Sequence, residues 1–249
     1  MNVTQWLEYA RFNQEFMANV THWHVTPPRE AQFAPFPDSL DPRLVEVYAK
    51  RGVTRLYTHQ HDAVEAIEAG KNVVVVTPTA SGKTLCYNLP VLNSILKDPA
   101  ARAIYLFPTK ALSADQVSEL YEVIEQADIA VKTYTYDGDT PAAARKAIRQ
   151  AGHIVVTNPD MLHSGILPHH TKWIQLFENL RYIVIDELHM YRGVFGSHLC
   201  NILRRLKRIC EFYGSHPQFI CCSATIANPE ELAHAICDCP ITLIDNNGA

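Results

Sequence analysis

Two short polar segments, each placed directly after an apolar run, constrain this chain more than any other feature. The first, Thr77–Thr84, reads TPTASGKT and follows the apolar run Val73–Val76. The second, Asp186–His189, reads DELH and follows an apolar run at residues 182–185. A small-residue loop between a strand and a helix binds phosphate through backbone N–H groups, and carboxylates at a strand end suit magnesium. Together the two segments predict an ATP site on an α/β sheet.

The chemistry of such a site assigns a role to each polar residue. We expect the ammonium group of Lys83 to contact the β and γ phosphates, and the Thr84 hydroxyl and the Asp186 carboxylate to hold Mg²⁺. Glu187 is expected to polarise the attacking water, so Lys83 and Glu187 are the predicted catalytic residues. The predicted nucleotide-binding positions of the loop are Thr79, Ala80, Ser81, Gly82, Lys83 and Thr84.

The loop departs from the usual phosphate-loop pattern at two positions. Thr77 stands six residues before Lys83, where the pattern has glycine, and Ala80 occupies a position where glycine is also common. A lone Gly-Lys-Thr would be a weak signal. Here the chemistry also requires a strand before the loop and a second strand that ends in Asp-Glu, and both are predicted. We therefore interpret the segment as a phosphate loop rather than as an ordinary turn.

Composition bounds the class of protein. The chain has 249 residues, 47% hydrophobic and 19% charged, which fits one large or two small globular domains. Its net charge of −4 indicates that nucleic acid would bind to a local surface rather than to the molecule as a whole. No apolar run has the length of a membrane span and no secretory signal is evident, so we expect no membrane partner and a cytoplasmic location, in the bacterial cytosol or nucleoid. Seven cysteines, mostly in apolar segments, favour reduced thiols.

Residues 1–50 differ from the rest of the chain. Their first part is aromatic-rich and helix-like, and the prolines that follow between residues 27 and 42 exclude a long helix or a central strand. We predict an N-terminal helix and an extended proline-rich arm, anchored by Phe33 and Phe36 on the domain that follows. Residues 51–249 are predicted to form one ATP-binding domain.

Apolar runs alternate with segments that are long enough for helices. The runs lie at residues 73–76, 103–107, 131–135, 154–157, 182–185, 218–222 and 241–244, and residues 110–126 between two of them have helical periodicity. Continuous apolar strands joined by crossover helices form a parallel sheet that is covered on both faces. The predicted fold is therefore α/β, with a mostly parallel sheet, helices on both faces and the N-terminal arm. Ligands bind beyond the carboxyl ends of such strands, where both polar segments fall.

Tyr57 and Gln60 precede the phosphate loop in a segment that could bind a base. A glutamine amide satisfies both the donor and the acceptor on the edge of adenine, and a tyrosine ring stacks on the base. By itself a glutamine at position 60 is more often a surface residue of a helix. Its assignment to the nucleotide depends on the loop at Thr77–Thr84.

Three further strand ends expose groups that suit an anion. Pro108, Thr109 and Lys110 end one strand and begin a helix, and Thr157 and Asp160 repeat the arrangement with Thr157 as the expected helix cap. Gly138 permits close approach of backbone. Each feature alone fits simple helix capping. On one sheet edge, the three predict a track for the backbone of a nucleic-acid strand.

The segment Cys222-Ser-Ala-Thr225 ends the next apolar run. We expect the hydroxyls of Ser223 and Thr225 to link the loop that carries His189 to the nucleic-acid track. Through this link the phosphate state of the bound nucleotide and the affinity for the nucleic-acid strand would change together.

These motifs, in this order over residues 58–225, resemble those of the superfamily 2 helicases of the DEAD/DEAH type, and in particular their first RecA-like lobe. A finer resemblance is to the MrfA/YprA-type DNA repair helicases. It rests on the run His189–His198, on the basic segment Leu203–Cys210 and on the proline-rich lead-in before Gln60.

The resemblance implies ATP-driven translocation from 3′ to 5′ on single-stranded DNA, with ATP and Mg²⁺ as cofactors, in the repair of damage such as mitomycin crosslinks. It also implies a second RecA-like lobe that supplies an arginine finger. The basic segment has two interpretations, a contact with DNA or an adjoining domain and a solvated helix face. Its charged residues are Arg204, Arg205, Lys207 and Arg208.

No motif of a second lobe follows Thr225 in the sequence up to Ala249. We therefore expect a first lobe with its arm, monomeric, that binds ATP and, weakly, single-stranded DNA but does not unwind a duplex. Two alternatives remain open from the residues. One is the lobe of an RNA helicase, and the other is a nucleotide-dependent interaction module without enzymatic activity.

Overall fold

The computed structural model describes residues 2–27 and 30–249, and the chain divides into two compact units, residues 1–30 and 31–249. The sequence analysis puts the boundary after residue 50 instead. Residues 31–50 lie with the larger unit because their helix, Pro42–Lys50, buries Leu44, Val47 and Tyr48 in its core.

The smaller unit consists of two short helices. Helix α1 (Val3–Phe12) is capped by the Asn2 side chain, and α2 (Gln14–Met17) follows it directly. The rings of Trp6 and Phe16 meet edge to face, with centroids 5.7 Å apart, so an aromatic contact joins the two helices.

The elements of the larger unit are as follows. The strands are β1 (Phe33–Ala34), β2 (Leu56–Tyr57), β3 (Val73–Val76), β4 (Arg102–Leu106), β5 (Thr133–Thr135), β6 (Ile154–Thr157), β7 (Leu180–Ile185), β8 (Gln218–Ser223) and β9 (Thr242–Ile244). The α-helices are α3 (Pro42–Lys50), α4 (Thr58–Glu68), α5 (Lys83–Lys97), α6 (Lys110–Gln126), α7 (Ala142–Ala151), α8 (Pro159–Met161), α9 (Ile174–Glu178), α10 (Gly193–Phe212) and α11 (Pro229–Cys237). A π-helical turn (Leu162–Ile166) and 3₁₀ turns (Leu167–Lys172 and Leu188–Met190) complete them. None of the helices in the described ranges combines the length and the apolarity that a bilayer crossing requires.

Strands β3 to β9 form one parallel sheet in the order β5-β6-β4-β7-β8-β3-β9, which confirms the predicted fold class. Successive residues of β3 alternate between the two faces: Val73 and Val75 join one core cluster, and Val74 and Val76 join the other. Helices α3 to α6 pack on the first face, and α7 and α9 to α11 on the second. Parallel strands bring all their carboxyl ends to one edge.

The arm reaches the larger unit through its aromatic residues. Strand β1 pairs antiparallel with β2, and the Phe33 ring stacks on the Tyr57 ring with centroids 5.1 Å apart. Phe36 packs against the core on the α3–α6 face. Both predicted anchors therefore contact the domain that follows.

Candidate nucleotide and nucleic-acid site

The phosphate loop lies between β3 and α5 and uses left-handed backbone at two positions. Gly82 has φ of 73°, and a Cβ atom there would lie 2.5 Å from Gln60 Nε2, so only glycine fits without displacing that side chain. Ala80 has φ of 63°, a conformation that costs an L-residue with a side chain about 1–2 kcal/mol. The loop therefore contains backbone strain where it is expected to meet phosphate.

Side chains inside the loop explain why it tolerates threonine at its first position. The Thr77 hydroxyl lies 2.6 Å from the Ser81 hydroxyl, and both residues are buried. The Lys83 ammonium group donates to the carbonyl oxygens of Thr77 and Pro78, at 3.0 Å and 2.8 Å. A side-chain hydrogen bond therefore closes the loop, and Lys83 extends back along it toward the loop entrance.

The predicted metal ligands meet at the carboxyl ends of the central strands. Asp186 follows β7, and its Oδ1 accepts a hydrogen bond from the Glu187 N–H at 2.8 Å while its Oδ2 lies 3.2 Å from the Tyr87 hydroxyl. The Thr84 hydroxyl donates to Gln116 Oε1 at 3.0 Å. Tyr87 and Gln116 were not among the predicted site residues.

These oxygen donors fit Mg²⁺, which prefers carboxylate and hydroxyl oxygens. Burial raises the pKa of Asp186 to about 6, with the nearby Glu187 charge acting in the same direction. A carboxylate that is poorly solvated and lies beside a second carboxylate is one whose charge a divalent cation would compensate. The chemistry of the donor set is therefore that of a magnesium site held by Thr84 and Asp186.

Glu187 is held in an uncommon conformation at the end of β7. Its φ of 53° and ψ of 45° are left-handed, which is unfavourable for a residue with a side chain. Its Oε2 lies 3.3 Å from His189 Nδ1. Strain at a carboxylate beside a phosphate loop is consistent with the predicted catalytic role.

Tyr57 and Gln60, the residues predicted to bind the base, both make contacts within the protein. The Gln60 side chain is buried, its Oε1 accepts from the Tyr57 N–H at 2.9 Å, and its Nε2 donates to the Gly82 carbonyl at 2.9 Å. The Tyr57 ring stacks on Phe33 and, with centroids 5.7 Å apart, on His59. Gln60 thus connects the start of α4 to the phosphate loop and Tyr57 packs between two aromatic rings, while their contact with a base stays a prediction.

His59 gives the loop a second support that the sequence analysis missed. Its ring is buried, its Nε2 lies 3.0 Å from the Ser81 carbonyl, and its Nδ1 lies 3.3 Å from the Gly248 N–H. In these two hydrogen bonds Nδ1 accepts from an N–H group and Nε2 donates to a carbonyl, which is possible only for a neutral ring. Burial lowers the pKa of His59, which favours that form. The sequence shows a histidine next to Gln60, but it does not show that this histidine contacts Ser81, 22 positions away.

The link between the DELH segment and the segment after β8 also differs from the expectation. The Ala224 N–H donates to His189 Nδ1 at 3.3 Å, whereas the buried Ser223 hydroxyl donates to the Ala224 carbonyl. Thr225 is exposed, and no hydrogen bond of its hydroxyl is found among the described residues. The contact runs through backbone because the polypeptide leaves β8 with the Ala224 amide facing His189.

The three predicted nucleic-acid segments follow β4, β5 and β6, which are neighbours in the sheet. Pro108 leads into α6, whose cap is the Thr109 hydroxyl, bonded to the Leu112 N–H at 3.4 Å. A Cβ atom at Gly138 would meet no other atom within 4 Å, so the space around it is open. The topology therefore brings the segments to one edge.

Within that edge the predicted cap at Thr157 needs correction, and Lys110 has acidic neighbours. The Thr157 hydroxyl is buried and donates to the Tyr136 carbonyl at 2.7 Å, and the Asn158 side chain caps α8 instead, because β6 extends through Thr157. The Lys110 ammonium group is paired with the carboxylates of Asp137 and Asp139.

The basic segment of α10 separates into two pairs of residues. Lys207 donates to the Asp238 carbonyl at 2.9 Å and to the Cys237 carbonyl, and Arg204 lies 3.8 Å from the Asp238 carboxylate, so both stabilise the end of α11. All four basic side chains line an open groove together with the exposed Asp160, and Arg205 and Arg208 form no ion pair with the described residues.

A parallel sheet with a phosphate loop after β3 and an acidic pair after β7 defines the class: the RecA-like lobe of a P-loop nucleotide hydrolase. The sequence profile of the DEAD/DEAH box helicases matches residues 57–232, and the chain belongs to that family.

Three relatives, each longer than this chain, show how far the similarity extends. The chain is 63% identical over 231 residues to "Uncharacterized ATP-dependent helicase YprA" of Bacillus subtilis, covering 93% of this chain and 31% of that protein. It is 40% identical over 210 residues to "ATP-dependent helicase hrq1" of Schizosaccharomyces pombe, covering 83% and 20%. The crystal structure of "DUF1998 helicase MrfA bound to DNA" superposes with a TM-score of 0.96 at 59% identity, covering all of this chain and 35% of that one. The chain thus spans about a third of the YprA and MrfA chains and a fifth of the hrq1 chain.

Proposed function

We propose that this chain is the ATP-binding lobe of an ATP-dependent DNA helicase that moves from 3′ to 5′ and acts in DNA repair. The observation that carries the proposal is the meeting of the phosphate loop with Thr84, Asp186 and Glu187 at the edge where the predicted nucleic-acid segments also end. DNA as the substrate is supported by the similarity to a helicase whose structure was determined on DNA. Polarity and the repair role rest on the resemblance to MrfA/YprA-type helicases.

Within this proposal each residue of the site has a defined task. Lys83 binds the β and γ phosphates, and the backbone of the loop from Thr79 to Gly82 orients them. Thr84 and Asp186 hold Mg²⁺, which supplies positive charge to the phosphates. Glu187 accepts a hydrogen bond from the attacking water and so orients it.

A second RecA-like lobe is proposed to complete the site, because this chain spans 31% of its Bacillus subtilis relative. That lobe would supply an arginine finger and further phosphate contacts to the strand. The proposed partners are therefore single-stranded DNA and the second lobe, with ATP and Mg²⁺ as cofactors. By itself the lobe is proposed to be monomeric and to act in the bacterial cytosol or nucleoid.

The test of the nucleotide site is Lys83→Ala in this chain. Equilibrium titration with a fluorescent ATP analogue should give saturable binding for the unmodified lobe and no measurable binding for the variant. Circular dichroism checks that the variant is folded. Unchanged binding by a folded variant would remove the phosphate-loop assignment.

The test of the substrate uses the full-length protein. Its ATP hydrolysis should be stimulated by single-stranded DNA, and the Glu187→Gln variant should bind ATP without hydrolysing it. Stronger stimulation by single-stranded RNA would identify an RNA helicase. ATP binding without a response to either nucleic acid would favour the interaction module.

A further inference from the structure

A chain of hydrogen bonds crosses the site from the phosphate loop to the DELH segment. The Thr84 hydroxyl on α5 lies 3.0 Å from Gln116 Oε1 on α6. The Tyr87 hydroxyl, also on α5, lies 3.2 Å from Gln116 Oε1 and 3.2 Å from Asp186 Oδ2. Two proposed Mg²⁺ ligands are thereby connected through two side chains that have no assigned role.

The Tyr87 hydroxyl can donate to only one of its two acceptors at a time. A phenol carries one proton, so it donates either to Asp186 or to Gln116 at a given moment. A carboxylate with uncompensated charge is the stronger acceptor. Once its charge is compensated, the carboxylate competes less well for the proton, and Gln116 Oε1, which has two lone pairs, can accept from Tyr87 and Thr84 together.

Gln116 lies on the helix that begins with the predicted nucleic-acid contacts. Helix α6 runs from Lys110 to Gln126, and the Thr109 side chain caps it. A continuous helix moves as a rigid element, so a force on Gln116 also acts on its first turn. The amide side chain therefore joins the metal ligands to the nucleic-acid edge by a route independent of the contact between His189 and Ala224.

We propose that Tyr87 and Gln116 are positioning residues that couple the Mg²⁺ site to α6. With the Asp186 charge compensated, the Tyr87 hydroxyl keeps its proton but turns its hydrogen bond from Asp186 to Gln116 Oε1, and α6 is held by two hydroxyl donors instead of one. The inference rests on the proposed function, since it requires that ATP with Mg²⁺ binds at Thr84 and Asp186. It adds a regulation of that site by which nucleotide occupancy stabilises the start of α6.

Packing alone does not explain the Tyr87 hydroxyl. The side chain is fully buried, and its ring meets the Tyr105 ring edge to face with centroids 5.3 Å apart, a contact that phenylalanine would keep. Tyr105 is itself a matched control. It is equally buried, and its hydroxyl donates to Asn88 Oδ1 at 3.0 Å, a residue outside the chain of hydrogen bonds.

The experiment compares this chain with Tyr87→Phe, Gln116→Met, the double variant and the control Tyr105→Phe. Hydrogen–deuterium exchange of the peptide that covers residues 107–120 is measured with and without Mg²⁺ and a non-hydrolysable ATP analogue. Nucleotide affinity is titrated in parallel at saturating Mg²⁺. In the unmodified chain and in Tyr105→Phe, the nucleotide should slow exchange in this peptide by about fivefold or more, the lower end of typical coupling between sites.

In Tyr87→Phe and in Gln116→Met the slowing should fall below twofold while the nucleotide still binds. The double variant should lose no more than either single variant, because both remove the same connection. Full slowing in the two single variants, or a nucleotide that binds without slowing exchange in the unmodified chain, would overturn the coupling and leave the proposed function intact. Absence of nucleotide binding in the unmodified chain would overturn both.

Discussion

At the scale of single residues, two positions of the phosphate loop have left-handed backbone: Gly82, where the geometry requires glycine, and Ala80, where the same conformation is strained. Both Gly82 and Ala80 have left-handed backbone, but only Ala80 carries a Cβ atom. Replacing Ala80 with glycine should relieve about 1–2 kcal/mol of steric cost and add about 0.5–1 kcal/mol of unfolded-state entropy cost. The free energy of unfolding of Ala80→Gly, measured in urea, should therefore rise by about 0.5–1 kcal/mol.

The opposite substitution is the control for this prediction. Gly82→Ala adds a Cβ atom 2.5 Å from Gln60 Nε2 in a left-handed position, so it should lower the free energy of unfolding and weaken nucleotide binding. A loss of stability in Ala80→Gly would show that the alanine side chain contributes contacts that outweigh its backbone strain.

Individual site residues were predictable from the sequence where a motif fixes them relative to a strand end. Lys83, Thr84 and Asp186 belong to this group, since each follows an apolar run at a defined spacing. Tyr87 and Gln116 were not predictable as partners. Their contact depends on which faces of α5 and α6 meet above the sheet, and no local pattern encodes that.

At the scale of elements, the start of α6 is tied to the loop after β5 by charge. Lys110 pairs with Asp137 and with Asp139, whose carboxylate is exposed. The hydrogen bond from Lys110 lowers the pKa of Asp139, so this carboxylate is ionised at neutral pH. A phosphate of a bound strand would have to compete with it for Lys110.

Asp139→Asn should therefore strengthen binding of a single-stranded oligonucleotide to this lobe. The substitution removes the nearer of the two carboxylates on Lys110 and so makes its charge more available, and each added phosphate contact adds about 0.7 to the steepness of the logarithmic salt dependence for a single strand. Fluorescence anisotropy over a series of salt concentrations measures both quantities. Asp115→Asn is the matched control, because it changes the net charge by the same amount. Asp115 is exposed on α6 and has no ion pair within the described part of the chain. An equal gain in both variants would indicate a general charge effect instead of a released Lys110.

The strands of the main sheet were predicted to within about two residues at each end, because inner strands such as β3 and β6 are continuous apolar runs buried on both faces. The region between residues 158 and 172 was not. There a short α-helix, a π turn and a 3₁₀ turn follow one another, and their boundaries depend on tertiary contacts rather than on periodicity. The same limit explains the Thr157 correction, since the strand includes Thr157 and the cap falls on the next residue, Asn158.

At the scale of the whole molecule, the lobe presents its catalytic groups on one open edge of a sheet. Lys83, Asp186 and Glu187 all belong to this lobe, so it contains the groups that we propose bind ATP and Mg²⁺ and orient the water. The transition state for phosphoryl transfer spreads negative charge over the γ oxygens, and an arginine finger from a facing surface neutralises that charge. Binding and turnover should therefore separate between the lobe and the complete protein.

The isolated lobe should bind ATP about as tightly as the full-length protein, yet hydrolyse it about 10³-fold more slowly or slower still, because the arginine finger acts mainly on the transition state. Steady-state phosphate release, measured on both proteins with single-stranded DNA present, gives the ratio of turnover numbers. Glu187→Gln in each protein sets the background, since it removes the group that orients the water. If the isolated lobe and the full-length protein had comparable turnover numbers above that background, this lobe would contain every group that hydrolysis needs, and no arginine finger from a second lobe would be required.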